Sequence, residues 1–87
     1  MNEIETTCSY SEALAFLRRG ARIARRGWNG ADMWLVLIRA GNAVHQSSAG
    51  TFDMQDCIGM KTAQNVMQPG WVPSQADLLA DDWIVLP

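Results

Sequence analysis

The chain is organised around the stretch Arg25-Arg26-Gly27-Trp28-Asn29-Gly30. Glycine tolerates positive φ and lets another molecule approach the backbone closely, and Asn-Gly is a strong signal for a tight hairpin turn. The stretch therefore predicts a strand that runs into a turn at residues 28–30. An aromatic ring and cationic groups beside such a turn suit a flat, anionic ligand, because a base can stack on Trp28 while phosphates meet arginine. The alternative is that Trp28 fills the core at a hairpin.

Apolar segments flank this stretch on both sides. Residues 21–26 are predicted as the strand that enters the turn, with Ile23 and Ala24 as its apolar positions. Residues 33–38 are aliphatic, β-branched or aromatic, which is typical of a strand buried on both faces. We expect the main helix to cover one face and a second subunit the other.

The main helix is predicted upstream of these strands. Ser9 and Glu12 form a capping-box pattern, and Gly20 is suited to the residue just after a helix end. The pattern predicts a helix over 10–19. Its apolar face, at the spacing of one helical side, consists of Tyr10, Ala13, Leu14 and Leu17.

The second half of the chain predicts shorter elements. Residues 40–56 have no period and are rich in Gly, Ser, Asn and Gln, so we expect an irregular loop, with His45 as a surface residue. The remaining strands are predicted at 57–62, 70–72 and 83–86, with a hairpin connection over 63–69.

A short helix is predicted between the last two strands. Residues 73–77 open it, Ser74 is a suitable N-cap, and Asp77 can complete a weaker capping box. Leu78 and Leu79 are expected to face the core.

These elements predict an α+β fold: one main N-terminal helix packed on an antiparallel sheet of about five strands, plus a short C-terminal helix. The 87 residues are expected to form one domain over 1–87. So short a chain buries only around 60–65% of its unfolded surface. We therefore expect stabilisation by formation of a homo-oligomer.

Composition limits the classes of partner. The net charge of −2 argues against binding a nucleic acid polymer. Most of the basic residues fall between Arg18 and Arg26, a local patch that suits a small anionic ligand or an acidic protein face. Within that patch, Arg18 and Arg19 are interpreted as solvated.

The sequence offers little for metal, membrane or export. Cys8, Cys57 and His45 are too few for a four-ligand zinc site within one chain, so no metal or cofactor is expected. The cysteines are interpreted as thiols of a reducing compartment. No apolar run approaches the roughly 20 residues of a bilayer span, and residues 1–7 do not resemble a signal peptide. We expect a cytoplasmic protein.

Motifs for catalysis are absent from the sequence. It contains no Gly-x-x-x-x-Gly-Lys phosphate loop and no Gly-x-Gly-x-x-Gly turn. A nucleophile–histidine set could use only His45, and Cys57 lies in an apolar strand where thiols are usually inert. We therefore expect no catalytic residues and a protein that is not an enzyme.

A binding protein is better supported. Trp34 and Trp83 lie in apolar runs and are interpreted as core or subunit interface. Trp28 and Trp71 adjoin glycine and turn residues, so their rings are expected to be reachable for stacking. Ser74, Gln75 and Asp77 cluster at a helix N-terminus, where backbone N–H groups can meet an anion. Asp77 can accept ribose hydroxyls, or it can serve only as a cap.

Three segments of the chain resemble a small phage-encoded domain family that includes the second type of Thoeris anti-defense protein. They are Gly27–Gly30, Met60–Ala63 and Trp71–Trp83, within a likeness that spans 9–85. The chain departs from the family's pattern in the 40–56 loop and at Gln64–Gly70.

The resemblance implies a sponge in the host bacterial cytoplasm. Members of the family bind a cyclic ADP-ribose isomer made by a defense TIR-domain enzyme and hold it without cleaving it. Some members also bind cyclic dinucleotides at separate pockets. The family forms homotetramers with ligand sites between subunits, which agrees with the oligomer expected from the small core.

The resemblance also implies a set of site residues. Trp28 and Asn29 are candidates for a stacking and a polar contact, and residues 74, 75 and 77 for ribose or phosphate contacts. With the cationic and aromatic neighbours included, the predicted ligand site comprises Arg26, Trp28, Asn29, Trp71, Ser74, Gln75 and Asp77.

Two other functions remain open at this point. One is a protein-binding adaptor in which the Arg18–Arg26 patch docks an acidic partner. The other is a small nucleotide hydrolase that uses Asp77 or His45.

Overall fold

The helices and strands are defined in a computed structural model that describes residues 6–41 and 44–87, without the side chains of Asn29 and residues 44–46. The helices are α1 (Tyr10–Arg18), α2 (Arg26–Asn29) and α3 (Gln75–Leu79). The strands are β1 (Ile23–Arg25), β2 (Trp34–Ile38), β3 (Val44–Ser47), β4 (Gly50–Asp53), β5 (Cys57–Lys61), β6 (Met67–Pro69) and β7 (Trp83–Val85).

Five of the strands form one antiparallel sheet in the order β6-β5-β2-β1-β7. In β1, Ile23 lies opposite Leu35 of β2 on one side and opposite Val85 of β7 on the other. Strands β3 and β4 form a separate two-stranded sheet. The predicted α+β fold, with a main helix, a five-stranded antiparallel sheet and a short C-terminal helix, is confirmed.

The core lies between α1 and one face of the sheet. Its fully buried residues come from the helix and from strands β1, β2 and β7: Ala13, Leu17, Ile23, Leu35 and Trp83. Burying a large apolar side chain contributes about 1.5–3 kcal/mol. The core therefore depends on the packing of α1 against strands β1, β2 and β7.

The main helix agrees with its prediction to within one residue. The Ser9 side chain accepts from the backbone N–H of Glu12, and the Glu12 carboxylate accepts from the backbone N–H of Ser9, which completes the capping box. Gly20 has φ +100°, the conformation that favours glycine just after a helix end. Strands 57–62 and 83–86 are likewise confirmed, as β5 and β7.

The predicted hairpin turn at residues 28–30 is wrong. Residues 26–29 form the helical turn α2, and Gly30 has φ −64° and ψ −24°, so it adopts no positive φ. The Trp28 carbonyl accepts from the backbone N–H of Ala31 (2.8 Å) and of Met33 (3.2 Å). The Asn-Gly pair therefore ends a helical turn, and the predicted strand 21–26 shortens to Ile23–Arg25.

The prediction that residues 40–56 lack regular structure is also wrong. Strands β3 and β4 form a hairpin in which Ser47 lies opposite Gly50. The Ser47 hydroxyl donates to the Gly50 carbonyl (3.1 Å), and Gly50 has φ +129°. All four residues of β4 are exposed, so the hairpin has no apolar stripe that periodicity could detect. The predicted exposure of the His45 side chain lies outside the described residues.

Two predictions in the C-terminal half need correction. The return strand expected at 70–72 lies earlier, at Met67–Pro69, because Gly70 turns the chain at φ +89°. The backbone N–H groups of Gly70 and Trp71 both donate to the Ile58 carbonyl at 2.9 Å, which directs Trp71 away from the strand. Leu78 and Leu79 do not face the core: they are 49% and 72% exposed.

Strand β2 is central, but its two faces differ. Leu35 is fully buried against α1, whereas Trp34, Val36 and Ile38 are half-buried. Because side chains alternate along a strand, these three lie on the sheet face opposite α1. The expected cover by a second subunit stays a prediction. None of the described helices has the length and apolarity that crossing a membrane requires.

Candidate functional site

Four aromatic rings meet at one end of the core. Trp83 is fully buried and lies 5.2 Å from Tyr10 and 5.4 Å from Trp28, measured between ring centroids. Trp71 lies 6.2 Å from Trp83 and 5.9 Å from Trp28. The three indoles contact one another nearly edge to face, at interplanar angles of 77–80°. Edge-to-face contact is a favourable geometry for aromatic pairs.

The fold brings together two tryptophans that are far apart in sequence. Trp28 is placed by α2, directly after β1, and Trp71 by the turn at Gly70. Both rings are half-buried and pack against the core. Trp28 therefore packs against the core and is also partly exposed, and its role in stacking stays a prediction.

The other two tryptophans occupy different environments. Trp83 is core, as predicted. Trp34 is half-buried on the opposite sheet face, where the Arg22 guanidinium lies 5.2 Å and the Lys61 ammonium 6.0 Å from its ring centroid. Trp34 therefore lies away from the aromatic cluster.

Arg25 joins three segments of the chain beside the cluster. Its Nε donates to Asp82 Oδ1 (2.9 Å), and its Nη1 donates to Asp77 Oδ1 (3.2 Å). The Arg25 side chain is 27% exposed and that of Asp77 is 13% exposed. The hydrogen bond to Asp82, with further help from Asp77, raises the pKa of Arg25. The Arg25 guanidinium therefore connects the residue before β7 to the first turn of α3.

Asp77 is held by α3's own cap as well. Its Oδ2 accepts from the backbone N–H of Ser74 (2.9 Å), and its own N–H donates to the Ser74 hydroxyl (3.1 Å). Burial opposes ionisation of Asp77, but the hydrogen bonds from Ser74 and Arg25 outweigh it, so its pKa is lowered. Trp83 Nε1 donates to the Asp77 carbonyl (2.9 Å), which ties the cap to the aromatic cluster.

The predicted site residues thus converge only in part. Trp28, Trp71, Ser74 and Asp77 are linked through Trp83 and Arg25 into one group, which we call the aromatic corner. The predicted capping box is confirmed. Gln75 is the first residue of α3 and is exposed, and Arg26 is exposed at the start of α2. The Asn29 side chain lies outside the described residues.

Sequence reasoning did not select Arg25, Asp82 or Tyr10 for this corner. The available signal was the period of two in β1: Ile23 and Arg25 point to the same face, so an arginine points toward the core side. A partly buried cation requires acidic partners. The acids near the C-terminus supply them.

The basic patch predicted at 18–26 is divided by the fold. Arg25 is paired with Asp77 and Asp82, and Arg22 donates to the Pro87 carbonyl. Arg18 and Arg19 are exposed at the C-terminal end of α1, in agreement with their interpretation as solvated.

The corner combines an ionised carboxylate with aromatic surface. Asp77 has a lowered pKa, so it stays ionised near neutral pH and is poorly suited to act as a general acid. In the part of the chain that the structure describes, no group of three or more His, Cys, Asp or Glu side chains could hold a metal ion. The indoles and the exposed N-terminus of α3 instead offer stacking surface and hydrogen-bond donors.

The sequence is similar to known proteins over nearly its full length. A family model for the Thoeris anti-defense 2-like domain matches residues 8–86. Thoeris anti-defense 2 of Bacillus phage SP01 is 36% identical over 90 residues, which cover 95% of this chain and 99% of that protein. The match includes every segment that builds the aromatic corner.

Proposed function

This chain belongs to the family of Thoeris anti-defense 2-like domains, and we propose that it binds and sequesters a cyclic nucleotide immune signal without cleaving it. Membership of the family supports a role in phage defence against Thoeris immunity. The proposed ligand is a cyclic ADP-ribose isomer, with cyclic dinucleotides as a further ligand class. The proposed place of action is the host bacterial cytoplasm.

The observation that carries the proposal is the meeting of Trp28 and Trp71 beside the α3 cap. Their centroids lie 5.9 Å apart, and both rings are half-buried. A purine can stack on such indoles at a gain of about 1–3 kcal/mol per base. The exposed N-terminus of α3, with Ser74 and Gln75, offers polar groups to ribose or phosphate.

We propose that a neighbouring copy of the chain covers the exposed side of this site. Ligand pockets usually enclose most of their ligand's surface, whereas the α3 side of this corner is exposed. We therefore propose a homo-oligomer, with a tetramer as its expected form, in which ligands lie in crevices between subunits.

The state of Asp77 supports sequestration rather than hydrolysis. Arg25 and Ser74 already engage both of its carboxylate oxygens. A carboxylate held in this way positions a ligand better than it transfers a proton. The anti-defense family name is also compatible with a non-catalytic role.

A two-stage experiment tests the proposal. Thermal shift against cyclic ADP-ribose isomers, cyclic dinucleotides and linear nucleotides should raise the melting temperature with a cyclic member of the panel only. The complex is then denatured and the released ligand is identified by mass spectrometry. Intact ligand supports a sponge, a cleaved product supports the hydrolase, and no shift with any cyclic nucleotide contradicts the proposal.

A further inference from the structure

Lys61 is the buried charged residue among those that the structure describes. It is 8% exposed and lies on β5, opposite Trp34 of β2. Its ammonium group donates to Asp32 at two places, the carboxylate Oδ2 (2.7 Å) and the main-chain carbonyl (2.9 Å). Burying an ammonium group costs free energy unless the group is paired and hydrogen-bonded. Asp32 therefore supplies the interactions that Lys61 requires in this position.

Asp32 has an uncommon backbone conformation. Its φ is +58°, in the left-handed region, which aspartate adopts more readily than most residues but which is uncommon outside glycine. Its side chain is 76% exposed, so burial of the side chain does not impose the conformation. Conformations of this kind persist where the surrounding contacts hold them in place. The two hydrogen bonds from the Lys61 ammonium are such contacts.

Asp32 also lies between two residues that bind the Trp28 backbone. The backbone N–H groups of Ala31 (2.8 Å) and Met33 (3.2 Å) both donate to the Trp28 carbonyl. A displacement of Asp32 moves its two neighbours and therefore changes their hydrogen bonds to Trp28. One short segment of chain thus connects the Lys61 ammonium to the backbone that carries the Trp28 ring.

We infer that Lys61 is a positioning residue, which holds the segment after α2 through Asp32 and so sets the orientation of the Trp28 ring in the aromatic corner. Lys61 shares the sheet face of Trp34, opposite α1, so it acts through the backbone and not by touching a ligand in that corner. The inference deepens the proposed function and rests on it only for the effect on ligand binding. The orientation of Trp28 is a property of the free protein.

Fluorine NMR of protein labelled with fluorotryptophan tests the inference without a ligand. The label gives one signal for each of the four tryptophans, and single tryptophan-to-phenylalanine variants assign the signals. Lys61→Met removes the ammonium group but keeps an unbranched apolar stem that can fill the same space. The variant should shift or broaden the Trp28 signal as well as that of the adjacent Trp34. Circular dichroism checks that the variant is folded.

Arg22→Met is the matched control. The Arg22 guanidinium lies 5.2 Å and the Lys61 ammonium 6.0 Å from the centroid of the same Trp34 ring. The contacts given for Arg22, with Trp34 and with the Pro87 carbonyl, do not involve Asp32. Arg22→Met should therefore shift the Trp34 signal and leave the Trp28 signal unchanged. A Lys61→Met protein that shifts the Trp34 signal alone, or an equal shift of the Trp28 signal in both variants, overturns the inference.

Substitutions of Asp32 provide a second test. Asp32→Asn keeps a side-chain oxygen that can accept from Lys61 and tolerates the left-handed region, so the Trp28 signal should stay near its wild-type position. Asp32→Ala removes that oxygen and disfavours positive φ, so the Trp28 signal should move. Because Asp32 is exposed, both variants should fold, and they decide the question if Lys61→Met does not. A Trp28 signal that is unchanged in Asp32→Ala, or that moves as far in Asp32→Asn, contradicts the inference.

Ligand binding separates this inference from the proposed function. For a cyclic nucleotide that binds the wild type, Lys61→Met should weaken the affinity about tenfold, because a ring that is held less firmly contributes less to stacking. Unchanged affinity would overturn the positioning role in binding. If the Trp28 signal moves as expected but the wild type binds no cyclic nucleotide, the role of Lys61 in orienting Trp28 stands and the proposed function fails. If the wild type binds and the Trp28 signal does not move, the inference fails and the proposed function stands.

Discussion

At the scale of single residues, Arg25 connects most of the corner. It pairs with Asp77 at the start of α3 and with Asp82 before β7. The Asp77 carboxylate in turn accepts a hydrogen bond from the backbone N–H of Ser74, and the Asp77 carbonyl accepts one from the Trp83 indole. The ion-pair network is therefore joined to the aromatic cluster through the Trp83 indole.

Removing the Arg25 guanidinium and its hydrogen bonds should destabilise the protein. Arg25→Gln should lower the free energy of unfolding by about 1–3 kcal/mol, because hydrogen bonds to charged, partly buried groups are lost. Urea denaturation measures the change. The control is Arg39→Gln, whose 57% exposed side chain pairs with exposed Asp56 and should cost about 1 kcal/mol or less. Equal losses in the two variants would contradict the role given to Arg25.

The lowered pKa of Asp77 predicts acid sensitivity. A carboxyl whose pKa is lower when folded than its ordinary 3.8 stabilises the fold above that value and loses the contribution as pH falls through the folded value. Unfolding free energy should therefore drop below about pH 4. Asp77→Asn should be less stable at pH 7 and show a shallower acid decline. Parallel pH profiles for variant and wild type would show that another group controls the decline.

Trp28 carries the stacking part of the proposed function. Trp28→Ala should weaken cyclic nucleotide binding by about 1–3 kcal/mol, the contribution of a lost stack. Trp34→Ala is the control, because Trp34 lies on the opposite sheet face. Calorimetry on both folded variants measures the difference. Unchanged affinity in Trp28→Ala would place the ligand elsewhere.

The interactions of single residues were predicted correctly where the partners are close in the sequence. The capping boxes at Ser9 and Ser74 follow from residues three apart, and both occur. Arg25 was not selected because its partners lie more than fifty residues later. A pairing that depends on how β1 meets β7 has no local signature.

At the scale of elements, β5 shows how tightly the strands pack. A side chain at Gly59 would place its Cβ 2.6 Å from Ile38 Cδ1 and 2.8 Å from Met67 Sδ. Glycine therefore lets neighbouring side chains cross the strand.

Gly59→Ala should therefore destabilise the sheet. We expect a loss of about 1 kcal/mol, at the lower end of the usual cost of overpacking, because Met67 is 41% exposed and can shift. Gly27→Ala is the control, since a Cβ there meets nothing within 4 Å. Thermal unfolding of the two variants checks the prediction. A Gly27 variant less stable than the Gly59 variant would contradict it.

Elements with a clear apolar period were predictable, and the others were not. Helix α1 has a one-sided apolar face, and its bounds were nearly right. Helix α2 spans four residues, too few for a helical period, so Asn-Gly was interpreted as a hairpin turn. The β3–β4 hairpin is polar, and its pairing rests on a turn at Ser47 and Gly50 that composition did not distinguish from a loop.

At the scale of the whole molecule, the site exists because β1 and β7 are neighbours. Their antiparallel pairing sets Arg25 opposite Trp83, which brings the α2 turn to the α3 cap. By resemblance and by residue type, the sequence predicted Trp28, Trp71, Ser74 and Asp77 of this corner, but not Arg25, Asp82 or Tyr10. It did not predict that Leu78 and Leu79 remain exposed, because their surroundings depend on how α3 is oriented.

The central claim is that this aromatic corner grips a cyclic nucleotide and leaves it intact. Isothermal titration calorimetry of the wild-type protein with cyclic ADP-ribose isomers and cyclic dinucleotides tests it most directly. A sponge that competes with an effector should bind one of these ligands with a nanomolar Kd, a binding free energy of about −12 kcal/mol. Absence of heat with every ligand in the series, from folded protein, would contradict the claim.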